Sequence, residues 1–382
     1  MKVLRVVPFP PDYIGGLPFY SKNISINLSK KKNVKCDILT SDLTGKHKKI
    51  EYLGQNIRII YNKCYSFLWD KNPLIYILPF IRDHYKEYDI IHAHGYYFFS
   101  TLQCALLKKI KNFPFIIHTH GGIQTPNYLD LNLYENLQLI FKEKLFDRTI
   151  GKYTFRLADL VISGAENDLY ALRKRYKIKK EKSFYIPDGV DITKFKRNQN
   201  VKREYITLLA TRLSYIKGID IYIEIIKELH EKNKNLKFLI IGKGELEYLI
   251  LEAQKKLPIK HYSYFPYENI QDIYNMSKLL LVTSRFEGIP NVIHESLACQ
   301  TPVISSDVGG ISGIISHNEN GYLYDIRDYK RAINLILELV NNEQKLEEFG
   351  RNGRRLIEKE YSWDVVTEKV YNIYKKLLKL HD

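Results

Sequence analysis

Short apolar runs rich in β-branched residues alternate with longer stretches of helical periodicity along almost the whole chain, and the series runs twice. In the first half the runs are KVLRVV (2–7), VKCDILT (34–40), YDIIHAH (88–94), FPFIIHTH (113–120) and ADLVISG (158–164). After residue 200 they resume as EYITLLAT (204–211), LKFLIIG (236–242), LLLVTS (279–284) and TPVISS (301–306). Near-continuous apolar strands between helices belong to parallel sheets covered on both faces. Two such series predict two doubly wound α/β domains, 1–188 and 189–362, with a hinge in Ile186–Phe195. A closing helix is expected in 363–382, packing back toward the first domain, because Val365, Val366, Val370, Ile373 and Leu377 fall at helical spacing. A length of 382 residues agrees, since one core stops growing well below that size. Ligands of such sheets bind outside the carboxyl ends of the strands, and two sheets facing each other would leave a cleft there.

Composition narrows the function classes. With 45% hydrophobic and 27% charged residues the chain is globular rather than disordered. Its net charge of +16 is uneven, +13 in residues 1–190 against +3 in 191–382. A basic half suits a phosphorylated substrate or an anionic membrane face, and equally a solubilising coat of lysines. No interleaved aromatic motif accompanies the charge, so nucleic acid is not expected as a partner. Cys36, Cys64, Cys104 and Cys299 form no CxxC pair, which argues against structural zinc and fits a reducing compartment. Arg5 and Pro8 break the first apolar run, too poor for a signal peptide, and the long uncharged windows 90–107 and 112–129 carry His and Gly. A cytoplasmic protein is expected, with association to the inner face of the cell membrane open.

Polar residues concentrate just after strands. In SRFEGIPNVIHE (284–295), Gly288 and Pro290 turn into a helix starting near Asn291, whose free N–H groups make an anion site. Two carboxylates, Glu287 and Glu295, stand eight apart there; the plain alternative is that Glu287 caps the helix and Glu295 faces solvent. In TRLSYIKG (211–218), Arg212 and Lys217 suit a diphosphate, Arg as a bidentate donor and Lys as a point charge. Glycine turns follow at Gly242 and Gly244 and at Gly309–Gly310, which would let backbone approach a bound donor closely, weak signals individually. Gly15–Gly16 follows the first strand without a GxGxxG fingerprint, which disfavours a dinucleotide. HAHG (92–95) and HTHGG (118–122) place four histidines after adjacent strands. They lack the Cys, Asp or Glu companions usual at zinc, so hydrogen bonding or acid–base work is preferred and no metal is expected.

Taken in order, these segments resemble the GT-B glycosyltransferases of the retaining family 4, over nearly the whole chain. The resemblance rests on the GGL loop, HAHG, His120–Gly121, IPDGVD with Phe195, Arg212 and Lys217, GKG, the E-x7-E pair, DVGGI and the YSW at 361–363. It implies a transfer of a hexose-type sugar from a nucleoside-diphosphate sugar to a glycan or lipid-linked acceptor. By the same resemblance Arg212 and Lys217 hold the donor diphosphate, and Glu295 the ribose. Glu287 sits near the reacting sugar, with Gly288, Ile289, Pro290 and Asn291 helping to hold its hydroxyls. His120 faces the sugar from the first domain, and Gly15–Gly16 closes over phosphates or acceptor. Asp188 stands where the family usually has Asn, and Ile289 where an aromatic is frequent. No D-x-D occurs, so the cation pair is expected to replace a metal, with no cofactor. The rival expectations are a nucleotide-sugar 2-epimerase of the same fold and a non-catalytic nucleotide-binding protein.

Overall fold

The computed structural model of the chain describes residues 1–68, 72–121, 123, 133–288 and 290–381. They fall into two compact units. One runs up to Gly189 and takes in the chain again from Trp363; the other is Val190–Ser362.

The first unit is built on strands β1 (Lys2–Val6), β2 (Lys35–Asp42), β3 (Ile50–Tyr52), β4 (Ile57–Leu68), β5 (Asn72–Ile75), β6 (Ile90–His94), β7 (Phe115–Thr119), β8 (Leu160–Ser163) and β9 (Ser183–Tyr185). Their order is β3-β4-β2-β1-β6-β7-β8-β9, with β5 pairing β4. Only β3 and β5 run antiparallel to β4; every other described pair is parallel. Side chains alternate across the sheet, so one strand feeds two cores. Leu4, Val6, Ile91, Ala93, Phe115 and Ile117 fill one face. Val3, Val7, Ile90, Ile116 and Ile162 fill the other, beneath the helices Gly16–Ser29 and Trp363–Leu378. The C-terminal helix thus belongs to this core: Val366, Val370, Tyr374 and Leu377 are buried in it.

The second unit carries β10 (Tyr205–Arg212), β11 (Lys237–Lys243), β12 (Ile259–Tyr262), β13 (Ser277–Val282), β14 (Val303–Ser306) and β15 (Gly321–Tyr324). All described pairs are parallel, in the order β12-β11-β10-β13-β14-β15. Numbered within the unit this is 3-2-1-4-5-6, the order of dinucleotide-type folds, whose direction of winding reverses between the first and fourth strands. The gap between β10 and β13 is therefore where a ligand is expected. No helix of the described residues is long and apolar enough to cross a membrane.

Candidate functional site

The loops after β10 and β13 bring the strongest sequence candidates together. Lys217 pairs with the Glu287 carboxylate, which also accepts from Ser284 Oγ at 2.7 Å. Glu287 is largely buried by this arrangement, so it is held by partners and does not cap the helix behind it. Arg212 ends β10 with its side chain exposed. That leaves one cation facing solvent, while the charge of Lys217 is already shared with Glu287. The helix Asn291–Ala298 starts one residue after Pro290, and no side chain caps its first turn.

Two glycines make this loop cluster possible. Gly218 adopts φ +65°, and a Cβ there would lie 1.8 Å from the carbonyl oxygen of Thr283. Gly309 adopts φ +60°, with a Cβ 1.8 Å from the carbonyl of Glu287, while Gly310 N donates to Gly288 O at 2.9 Å. The DVGGI turn therefore braces the Glu287 loop from behind. Gly242 and Gly244 likewise touch backbone, at Ala210 and Leu213, so their smallness serves the seating of β11 against β10. The sequence reading assigned that smallness to a ligand.

Sequence reasoning missed a clamp on the same loop. Arg285 forms two hydrogen bonds with Asp220, donates to the Tyr215 carbonyl and lies 3.7 Å over the Tyr215 ring. Bidentate, stacked arginines hold geometry well, and this one fixes the turn Tyr215–Lys217.

Glu295 is buried and does not face solvent. Tyr274 donates to it at 2.6 Å and Tyr267 at 3.0 Å, and Lys194 lies 3.7 Å over the Tyr267 ring. Burial raises its carboxyl to about 7, against the hydrogen bonds of Tyr274 and Tyr267 and the charge of Lys194. Beside it His294 is fully buried, and burial takes its imidazole down to about 4. Ile289 lies outside the described residues, as does Gly122.

In the first unit Gly15 precedes the helix Gly16–Ser29, and a Cβ on Gly16 would meet nothing within 4 Å. This uncapped helix start follows β1, beside β6, where that sheet's order reverses. His92, His94 and His118 are fully buried beneath the helices Gly16–Ser29 and Trp363–Leu378, a correction to their expected place at a ligand surface. β6 and β7 are central strands covered on both faces, so alternation carries these side chains under the helices on one of them. Tyr374 OH accepts from Arg5 at 2.8 Å and shares a hydrogen bond of 2.7 Å with His92 Nδ1. His94 Nδ1 and His120 Nε2 share a hydrogen bond of 2.8 Å. Burial, then the nearby Arg5 charge, takes His120 down to about 3, so it is a neutral hydrogen-bonding group at physiological pH.

Ligand atoms of His92, His94 and His118 lie within 4.8 Å of one another. His92 nevertheless stacks on His94 and on His118, at interplanar angles of 19° and 14°, while His94 and His118 are tilted by 31°. Imidazole lone pairs lie in the ring plane, so stacked rings direct them side by side and not at a common point.

The profile of glycosyltransferase family 4 matches residues 14–194, and that of glycosyl transferases group 1 matches residues 191–356. The capsular polysaccharide biosynthesis glycosyltransferase CapM of Staphylococcus aureus is 28% identical over 374 residues, covering 93% of each chain. The structure is similar to sucrose-phosphate synthase from Thermosynechococcus elongatus, with a TM-score of 0.81 at 20% identity over 99% of both chains. It is also similar to Anabaena HepE solved in complex with UDP, with a TM-score of 0.74 at 17% identity, covering 98% of this chain and all of that one. The two profiles follow one another along the two units, and the chain belongs to the GT-B glycosyltransferases of family 4, group 1.

Proposed function

We propose that the chain transfers a hexose-type sugar from a nucleoside-diphosphate sugar, with retention and without a metal, to a glycan or lipid-linked acceptor of cell-surface polysaccharide assembly. The observation that carries this is the pairing of Lys217 with Glu287 at the reversal of the β10/β13 sheet, with Arg212 at the end of β10 and a bare helix start after β13. When the bond from the anomeric carbon to the β-phosphate oxygen breaks, its electron pair leaves with the diphosphate. Arg212, Lys217 and the helix N–H groups offset that growing charge from fixed positions, and such preorganised electrostatics usually contribute more to catalysis than any other effect. The acceptor oxygen bonds the anomeric carbon and its proton is released. Retention is compatible with same-face attack, the proton passing to the leaving phosphate, and with double displacement. Glu295, its carboxyl raised to about 7 and held by two tyrosines, suits ribose hydroxyls. His120 serves as an uncharged hydrogen-bond partner of the sugar. The activity of CapM in capsule assembly supports the acceptor class, and the UDP held by HepE makes a uridine donor the first to try.

Donor turnover in EDTA tests this reading. The wild type keeps its rate, while Arg212→Ala and Lys217→Ala each lower kcat about a hundredfold or more. Loss of wild-type turnover in EDTA, restored by Mg²⁺ or Mn²⁺, refutes the metal-free mechanism. An unchanged kcat in both variants places the diphosphate elsewhere.

A further inference from the structure

Arg5 and four histidines share the face of the first sheet that the helices Gly16–Ser29 and Trp363–Leu378 cover. Arg5 on β1 is the register partner of His92 on β6, and His94 is that of His118 on β7. Alternation adds His120 to the same face, just beyond the end of β7. Arg5, His92, His94 and His118 are fully buried, and His120 alone of the five is half-buried. A core of this kind costs stability. Nε2 of His92, Nε2 of His94 and both ring nitrogens of His118 are buried with no hydrogen-bond partner among the described residues. Each gives up solvation without return, so apolar residues of similar volume would make a more stable core. Departures of this sort gather at functional sites.

What the cluster holds in place is the ring of His120. It stacks on His118 at 4.1 Å and on His94 at 5.1 Å, with the Tyr20 ring 4.9 Å away. Stacking fixes the plane of an imidazole but tolerates a half-turn about the Cβ–Cγ bond, which exchanges nitrogens for carbons. The hydrogen bond of 2.8 Å between His94 Nδ1 and His120 Nε2 removes that freedom and leaves Nδ1 of His120 for a ligand. It also sets the proton. Burial and the Arg5 charge keep both rings neutral, so one proton lies in the shared bond and each ring has one N–H. Both rings must therefore carry it on the same nitrogen, and the state of His94 fixes whether His120 Nδ1 donates or accepts. Behind His94, His92 stacks at 4.5 Å and is tied to Tyr374 of the C-terminal helix, which accepts from Arg5.

We propose that His94 is the positioning residue of His120, fixing the rotation of its ring and the hydrogen-bonding character of its Nδ1. The inference rests on the place beside the sugar given to His120 in the proposed function.

Long-range proton–nitrogen correlation spectra of protein with isotope-labelled histidine read the tautomer of each ring, the His94 and His120 variants assigning the signals. The wild type should show His94 and His120 in one and the same neutral tautomer. His94→Leu, close to histidine in volume but without a nitrogen, should shift the His120 ring signals toward a mixture of tautomers. Release of UDP from UDP-glucose supplies the second readout. His94→Leu should lower kcat about tenfold with KM changed less than about twofold. His94→Asn, whose amide can still pair with His120 Nε2, should recover most of that loss. In the His120→Ala background His94→Leu should cost nothing further. If His94→Leu does not fold, His94→Ala replaces it in both readouts. Different tautomers in the wild type overturn the proposal, as do unchanged His120 signals in folded His94→Leu. So do equal losses of turnover in the leucine and asparagine variants, or losses that multiply in His120→Ala. The spectra decide whether or not UDP-glucose is a donor. Normal turnover in His120→Ala overturns the sugar contact on which the inference rests, a failure the spectra keep apart from a failure of the hold itself.

Discussion

Asp188 stands where family 4 usually has Asn, and nothing in the sequence around it marks the change as consequential. In the folded chain burial raises its carboxyl to about 7. A carboxyl that ionises near 4 when unfolded and near 7 when folded holds its proton more tightly in the native state. It therefore stabilises the fold at low pH, and that contribution is lost as pH rises from about 4 to about 7. Asn at this position carries no such dependence. Asp188→Asn should raise the unfolding free energy relative to wild type more at pH 8 than at pH 5, by about 1–3 kcal/mol in denaturant unfolding. Glu295 and the buried histidines titrate in both proteins, so the difference between the two isolates position 188. An equal effect at both pH values would show that Asp188 ionises normally.

At the scale of elements, what was legible follows from burial on both faces. The central strands β1, β2, β6, β7 and β8, and β10, β11, β13 and β14, are near-continuous apolar runs and can be read directly. The missed strands, β3, β4, β5, β9, β12 and β15, lie at or near edges; among them are the half-exposed IKHY of β12, the four-residue GYLY of β15, and β4, whose outer half turns to solvent against β5. Edge strands bury one side less completely, so their pattern weakens. The π turn over Lys142–Gly151 leaves no trace in helical periodicity. Of the site, Arg212, Lys217, Glu287 and Glu295 are legible because they recur in a fixed order. The Arg285–Asp220–Tyr215 clamp and the tyrosines on Glu295 are not, since they come from separate elements with no fixed spacing. The glycines could be located but not interpreted. Gly218→Ala and Gly309→Ala must relieve both a positive φ and a backbone collision, and each should cost about 2–4 kcal/mol in denaturant unfolding. Gly16→Ala, with open space around its Cβ, should be neutral or slightly stabilising. Equal tolerance at all three positions would mean the loops of the candidate site are not braced as described.

For the whole molecule the charge is uneven: the first 190 residues carry +13 and the remainder +3, and the β10/β13 loops hold Arg212 and Lys217. The central claim is that these loops hold a nucleoside-diphosphate sugar. Thermal unfolding with UDP, GDP, ADP and their sugars, in the wild type, Arg212→Ala and Lys217→Ala, tests it most directly. At a hundredfold excess over Kd a ligand adds about 2.7 kcal/mol, and each kcal/mol is worth about 2–4 °C in a unit of this size. One base should stabilise the wild type by several degrees, and that gain should collapse in both variants. No shift with any nucleotide, or a shift that survives both substitutions, would contradict the account.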